Sequence, residues 1–263
     1  MIRINSLHKM FDEQPVLHGV DLEINEGETL VIIGRSGCGK SVLLKHMIGI
    51  LRPDSGEVFI DGQNISRLKG NDFVRLRMKF GMLFQGAALF DSLNVYENVG
   101  FALIEHTNLK EAEIRERVRR ALESVDLAHI EQKKPAELSG GMKKRVGLAR
   151  AICNNPRIIL YDEPTTGLDP IMADMINELI IRLHRQLRVT SVVVTHDMTS
   201  AYKVATRIAM LYEGKIVAQG TPDEIKNTKD PVVRQFITGA AHGPITDSGN
   251  NRREEYRNIG GEK

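Results

Sequence analysis

The run Gly34-Arg35-Ser36-Gly37-Cys38-Gly39-Lys40-Ser41 constrains this chain more than any other segment. Its GxxxxGK[ST] spacing is that of a loop whose glycines let successive backbone N–H groups converge on phosphate oxygens. Lys40 adds a point positive charge, and the Ser41 hydroxyl is placed to ligate Mg²⁺. The flanks demand a definite local fold. Residues 28–34 (ETLVIIG) read as a buried strand, and 40–49 as a helix that offers its positive N-terminal end to an anion. A strand passing through a glycine loop into a helix predicts an α/β domain.

A second segment supplies acid chemistry. Four large apolar residues, Ile158 to Tyr161, predict a strand covered on both faces, and Asp162 and Glu163 follow at its carboxyl end. Read alone, the pair is a solvated acidic turn before Pro164. Beside a phosphate loop it assigns Asp162 to the Mg²⁺ shell and Glu163 to the attacking water, as general base or orienting group. Adjacent strand residues point to opposite sides, so the two carboxylates are expected to differ in task.

Leu138-Ser139-Gly140-Gly141-Met142 opens a helix running to about Ala151, with Ser139 at the N-cap position. Read alone, this is ordinary capping. A Ser hydroxyl with helix-start amides also makes an anion site, and the chain has a single phosphate loop. The second site is therefore expected to serve a nucleotide held by another copy. The amide of Gln85 has the chemistry to contact Mg²⁺ or water, and His196, after the apolar run 191–195, has a ring nitrogen able to reach a γ-phosphate.

The order of these motifs resembles that of the ATP-binding subunits of ABC transporters, over nearly everything from Ile2 to about Ile225. The resemblance implies an α/β, P-loop NTPase of the ABC ATPase type, with a mixed sheet core and an inserted helical subdomain at about 86–151. The ATPase domain then spans 1–238, followed by a partly disordered tail, 239–263, as a candidate dimer contact. In this family two copies meet head to tail and close on two ATP molecules. Gln85 corresponds to the Q-loop residue, Leu138 to Met142 to the signature, Gly167-Leu168-Asp169 to the D-loop and His196 to the switch histidine. Glu163, His196 and Gln85 are then catalytic. Residues Gly34 to Val42, Ser139 to Met142 and Asp169 bind ATP, and Ser41, Gln85 and Asp162 hold the metal. Phe11 is expected to stack on adenine, the alternative being a place in the core. Two departures stand out: Val42 lies where many relatives carry a hydroxyl, and Met142 where the family usually has Gln.

Composition narrows the setting. The 263 residues carry a net charge of +2, which makes no electrostatic case for nucleic acid. No apolar run approaches the roughly 18 to 20 residues needed to cross a bilayer, and Met1 leads straight into a strand-like segment with no signal pattern. Any membrane role is therefore expected to come through a partner. Cys38 and Cys153 form no metal or redox spacing, which suits a reducing cytoplasm. Lys40 and a helix N-terminus near Cys38 are expected to lower its thiol pKa, and alkylation there to block ATP binding; the alternative, which the residue type favours, is a small filler of the loop.

The remaining organisation follows from periodicity. Strands are expected around the phosphate loop, with a turn at Asp61-Gly62 and a short basic helix at 71–79. The segment 109–126 sets Leu109, Ile114, Val118, Leu122 and Val125 as a stripe among charges. Residues 156–225 return to alternating strand and helix, the pattern of a parallel sheet. The apolar stretch 86–105 is either core or a groove for a partner's helix, and the resemblance favours the groove. Residues 230–239 predict a capped helix whose face of Val232, Val233, Phe236 and Ile237 needs cover, from its own domain or a second copy. Residues 250–263 read as disordered.

A narrower resemblance rests on LFQGAALF at 83–90, the signature LSGGM and the tail DPVVRQFITGAAHGPI. These are similar to the ATPase subunit of Mla-type systems, the maintenance-of-lipid-asymmetry transporters related to the mammalian-cell-entry family. The resemblance implies phospholipid movement between inner and outer membranes, powered from the cytoplasmic face of the inner membrane. The implied partners are a second copy, a permease, a membrane-anchored protein with MCE lipid-binding domains and a small STAS-domain subunit. The alternatives are the ATPase of a small-nutrient importer and a non-transport ABC ATPase acting as an assembly switch.

Overall fold

The computed structural model describes residues 2–247, so the expectation of disorder at 250–263 lies outside the described residues. In chain order the strands and helices begin with β1 (Ile2–Phe11), β2 (Gln14–Ile24), β3 (Thr29–Ile33), α1 (Lys40–Met47), β4 (Ser55–Ile60), β5 (Gln63–Asn64), α2 (Gly70–Arg77) and β6 (Phe80–Leu83). Next come α3 (Val95–His106), α4 (Glu111–Ser124), α5 (Gly140–Ile152), β7 (Ile158–Asp162), α6 (Pro170–Leu187) and β8 (Thr190–Thr195). The described chain closes with α7 (Met198–Val204), β9 (Arg207–Tyr212), β10 (Lys215–Gly220), α8 (Pro222–Lys226) and α9 (Pro231–Thr238).

A six-stranded sheet in the order β10-β9-β3-β8-β7-β6 faces a four-stranded antiparallel sheet, β2-β1-β4-β5. The continuous apolar runs of β3, β7 and β8 have the meaning expected of them, since every residue in these strands is buried. Their alternation divides the core in two. Leu30, Ile32, Leu160, Val192 and Val194 pack with α1 and the antiparallel sheet, while Val31, Ile33, Ile159, Tyr161 and Val193 pack beneath the helices on the other face.

Register then sets up the site. Ile33 pairs with Thr195 and Asp162 with Val194, so β3, β7 and β8 end at one level, and the loops that follow them emerge side by side.

The parallel pattern read for 156–225 ends at β10, which pairs antiparallel with β9, as the expected mixed sheet core allows. The two residues between them, Glu213 and Gly214, have φ of 45° and 74°, the left-handed pair of a tight hairpin turn. A helix-length connection is missing there, so the parallel crossover cannot form. The sheet is mixed.

Residues 86–151 contain α3, α4 and nearly all of α5. Asn94 and Glu97 form a reciprocal capping box at the start of α3. The stripe of α4 turns inward through Ile114, Val118, Ala121 and Leu122, while its arginines and glutamates pair outward. At the other end, Asp230 caps α9 and Gly239 closes it at φ 68°. Val233 is buried in the chain's own core, with Val232, Phe236 and Ile237 packed against the same cluster, so this face is covered in cis. Gln235 fastens the segment after it: its amide donates to the Ala240 carbonyl and Thr246 Oγ1, and its Oε1 accepts from the Ile245 N–H. No helix among the described residues is long and apolar enough to cross a membrane.

Candidate functional site

The loop between β3 and α1 is shaped by close approach. A Cβ on Gly34 would stand 2.4 Å from the Leu211 carbonyl oxygen, and Gly39, the N-cap of α1 at φ 102°, is pressed against Val16 and Leu17. These positions require glycine for space and for backbone conformation. Lys40 is 5% exposed, and its ammonium donates to the carbonyls of Gly34 at 2.8 Å and Arg35 at 3.0 Å. Ser41 Oγ donates to Asp162 Oδ1 at 2.6 Å, joining the first turn of α1 to the end of β7.

Asp162 and Glu163 are 6% and 7% exposed. The alternation argument made for them does not apply, because Glu163 leaves the strand with φ 48°. That left-handed turn, of the order of 1–3 kcal/mol in strain, swings its carboxylate to the same edge as Asp162. The tasks are separated by partners instead. Asp162 faces Ser41, whereas Glu163 lies 3.5 Å from Lys40 Nζ and 3.0 Å from His196 Nδ1. Thr166 and Thr195 hydroxyls also donate to Glu163, at 3.1 and 3.3 Å. The two threonines escaped sequence reasoning, although Thr195 directly precedes His196 and Thr166 follows the DEP turn.

Together these residues form a compact hard-oxygen and ammonium cluster. Among the described residues no group of three or more His, Cys, Asp or Glu is arranged as a metal cage. The Ser41–Asp162 pair at the edge of a phosphate loop fits Mg²⁺, which takes few protein ligands and completes its shell with waters and phosphate oxygens. Beside the loop opens a cavity of about 950 Å³, walled by Val16, His18, Arg35 to Cys38, Tyr212, Lys215 and Ile245. Ile245 comes from the segment pinned by Gln235.

Five expected residues stand apart from this cluster. Gln85 is exposed on the loop after β6. Ser139 caps α5, its Oγ accepting from the Met142 N–H at 3.3 Å, and this bond stays within its own helix start. Asp169 caps α6, accepting from the N–H groups of Ile171 and Met172 at 3.0 Å. Phe11, at the end of β1, is 40% exposed and so is not core; the Lys9 ammonium lies 5.4 Å above its ring, and the cavity is walled by Val16 and not by Phe11. Val42 packs against the core below the antiparallel sheet, and its carbonyl engages His46.

The thiol of Cys38 behaves differently from expectation. Burial pushes its pKa up, and the opposing pull of Lys40 is the smaller effect. Sequence reasoning weighed the nearby charge but not the desolvation.

Sequence and structure comparisons give a consistent family. The ABC transporter family model matches residues 17–166. The chain is 43% identical over 244 residues to a probable ribonucleotide transport ATP-binding protein of Mycobacterium leprae, covering 93% of this chain and 70% of that one. It is 39% identical over 245 residues to the intermembrane phospholipid transport system ATP-binding protein MlaF of Haemophilus influenzae, covering 93% of each chain. Among solved structures, a dimeric post-hydrolysis ATP-binding cassette bound to ADP and phosphate superposes with a TM-score of 0.77 at 35% identity, covering 84% of this chain and 99% of that one.

Proposed function

The chain belongs to the ABC transporter family as one of its ATP-hydrolysing subunits, and from that premise we propose that it powers the movement of phospholipid between inner and outer membranes. The observation that carries this reading is the match to the Haemophilus influenzae phospholipid-transport relative, which spans 93% of both chains and so extends well beyond the residues matched by the family model.

In the proposed cycle ATP is shared between the phosphate loop of one copy and Ser139 to Met142 of a second. The exposure of Ser139 and Gly140 suits a role across an interface, as does that of Gly167 and Asp169. Lys40 exchanges the carbonyls of Gly34 and Arg35 for phosphate oxygens. Ser41, Asp162 and Gln85 would hold Mg²⁺, which neutralises phosphate charge when bound. Glu163 accepts a proton from the attacking water, and His196, held at its carboxylate, orients that water or the γ-phosphate. Phe11 is assigned to the adenine ring on its exposure alone.

The loop and helix after Gln85 complete the reading. Phe90 and Ile104 are exposed large apolar residues, and the Phe90 and Phe101 rings lie 4.8 Å apart, a surface suited to a helix of the permease. The further partners of the proposed complex are the MCE-domain protein and the STAS subunit, at the cytoplasmic face of the inner membrane.

The test is purification of the tagged chain from native membranes in mild detergent, with mass spectrometry of bound proteins and lipids. A permease, a single-span lipid-binding-domain protein and copurifying phospholipid are expected. A nutrient-binding protein, or no membrane partner, would overturn the phospholipid reading and leave the ATPase chemistry standing.

A further inference from the structure

Lys144 lies on α5, on the helix that Ser139 starts, yet it is 6% exposed. Its ammonium donates to the carbonyl of Gln85 and, at 3.3 Å, to that of Glu163. A cation is kept inside a protein only where its donors are satisfied. Here both named acceptors are main-chain oxygens of site loops. Burial pushes the lysine pKa down, while the carboxylates of Asp162 and Glu163 pull it back up.

The same helix grips the Gln85 loop twice more. The Arg150 guanidinium donates to the Ala87 and Ala88 carbonyls, each at 2.6 Å. Between the two cations, Gly147 lets the loop lie against the helix, where a Cβ would come within 2.9 Å of Leu83 Cδ1 and 3.2 Å of Ala87 Cβ. Ala87 and Ala88 are both left-handed, with φ of 61° and 47°, a shape that non-glycine residues hold only under outside restraint.

We propose that Lys144 is a positioning residue for ATP hydrolysis. Its ammonium ties the Gln85 carbonyl to the Glu163 carbonyl, so the loop facing a membrane partner, the turn carrying the catalytic carboxylate and the signature helix move as one body. Arg150 fastens the loop to α5, but Lys144 alone of the two reaches the Glu163 turn. No hydrogen bond joins Lys144 to the phosphate loop, so nucleotide affinity should survive its loss while the chemical step suffers. A hydrocarbon chain in its place would take the ammonium from the Gln85 carbonyl and leave the Glu163 carbonyl with the Thr166 N–H, at 3.2 Å, so the tie between the two loops is cut; a guanidinium retains several donors.

This inference rests on the role given to Glu163 under the proposed function, and the experiment separates the two. The full chain is prepared as wild type, Lys144→Met, Lys144→Arg and Glu163→Gln, and the ATP Kd, KM and kcat are measured for each. Lys144→Met should keep Kd within threefold and lose at least tenfold in kcat, with Lys144→Arg recovering kcat to within threefold of wild type. A kcat within twofold of wild type in Lys144→Met overturns the inference, as does a joint loss of Kd and kcat that Lys144→Arg leaves uncorrected. Should Lys144→Met fail to fold, Lys144→Gln replaces it under the same thresholds. Wild-type hydrolysis in Glu163→Gln would overturn the assignment of Glu163 itself, whereas an inactive Glu163→Gln beside a fully active Lys144→Met would overturn only the role of Lys144.

Discussion

The carboxyl edge of the six-stranded sheet and the outer face of α4 are both dense in acids and bases, but water treats them differently. At the sheet edge Lys40, Asp162 and Glu163 are nearly sealed from solvent, and each is held by hydroxyls, carbonyls or an opposite charge. On α4, Arg115, Arg117, Arg119 and Arg120 pair with glutamates one turn away in open solvent. A buried charge that loses its partner is left desolvated and costly, whereas an exposed one exchanges its partner for water. Charge count therefore says little about importance, and burial says a great deal.

The sharpest way to press this contrast is Glu163→Gln, which keeps shape and removes the proposed base. Hydrolysis is expected to fall about 10²- to 10⁴-fold, with ATP binding preserved and a closed dimer accumulating; steady-state turnover and size-exclusion chromatography with ATP would read both. Lys40→Ala comes next, with ATP affinity weakened about 10- to 100-fold as a charged hydrogen-bond donor is lost, measured by nucleotide titration. An affinity equal to wild type would break the comparison at its strongest point.

A gentler perturbation acts through pH. His46 is fully buried, and desolvation lowers its pKa; burial lowers that of His184 as well. The unfolded chain therefore binds more protons than the folded one below the ordinary histidine value of about 6.5. The stability these residues contribute is complete above that pH and is lost as pH falls through their depressed folded values. Melting temperature should thus drop between pH 7.5 and 5.5, by roughly 2–4 °C for each kcal/mol lost in a chain of this length, and His46→Gln should flatten the drop. Smallest of all is Glu116→Gln. Hydrogen bonds from Arg119 and Arg120 hold this carboxyl down at about 2, yet the side chain is partly open to water. Its loss should leave the melting curve at pH 7 unchanged; a shift of several degrees would show that the α4 ladder stabilises the fold after all.

Legibility in the sequence followed the range of the interaction. The phosphate loop, the buried strands β3, β7 and β8, the cap at Ser139 and the whole of α9 with Asp230 and Gly239 are local patterns, and each appears in the structure where its spacing placed it. The antiparallel turn of β10 was missed because Glu213-Gly214 is a weak hairpin signal beside Asn-Gly or Asp-Gly. Lys144 fell within the helix read to about Ala151 and was given no role there. Its phase with Gly141, Leu148 and Ala151 marks it as inward-facing, a signal that was present in the periodicity.

By itself, then, the sequence determined the ABC-type ATPase machinery and the order of its parts, because glycine spacing, apolar runs and caps act within a few residues. Only the tertiary structure decided that Glu163 turns out of its strand onto Lys40 and His196, and that burial outweighs charge at Cys38. It also decided that α9 is covered in cis and that Lys144 bridges two loops. Those outcomes depend on desolvation and on contacts between segments far apart in the chain, which no local spacing encodes.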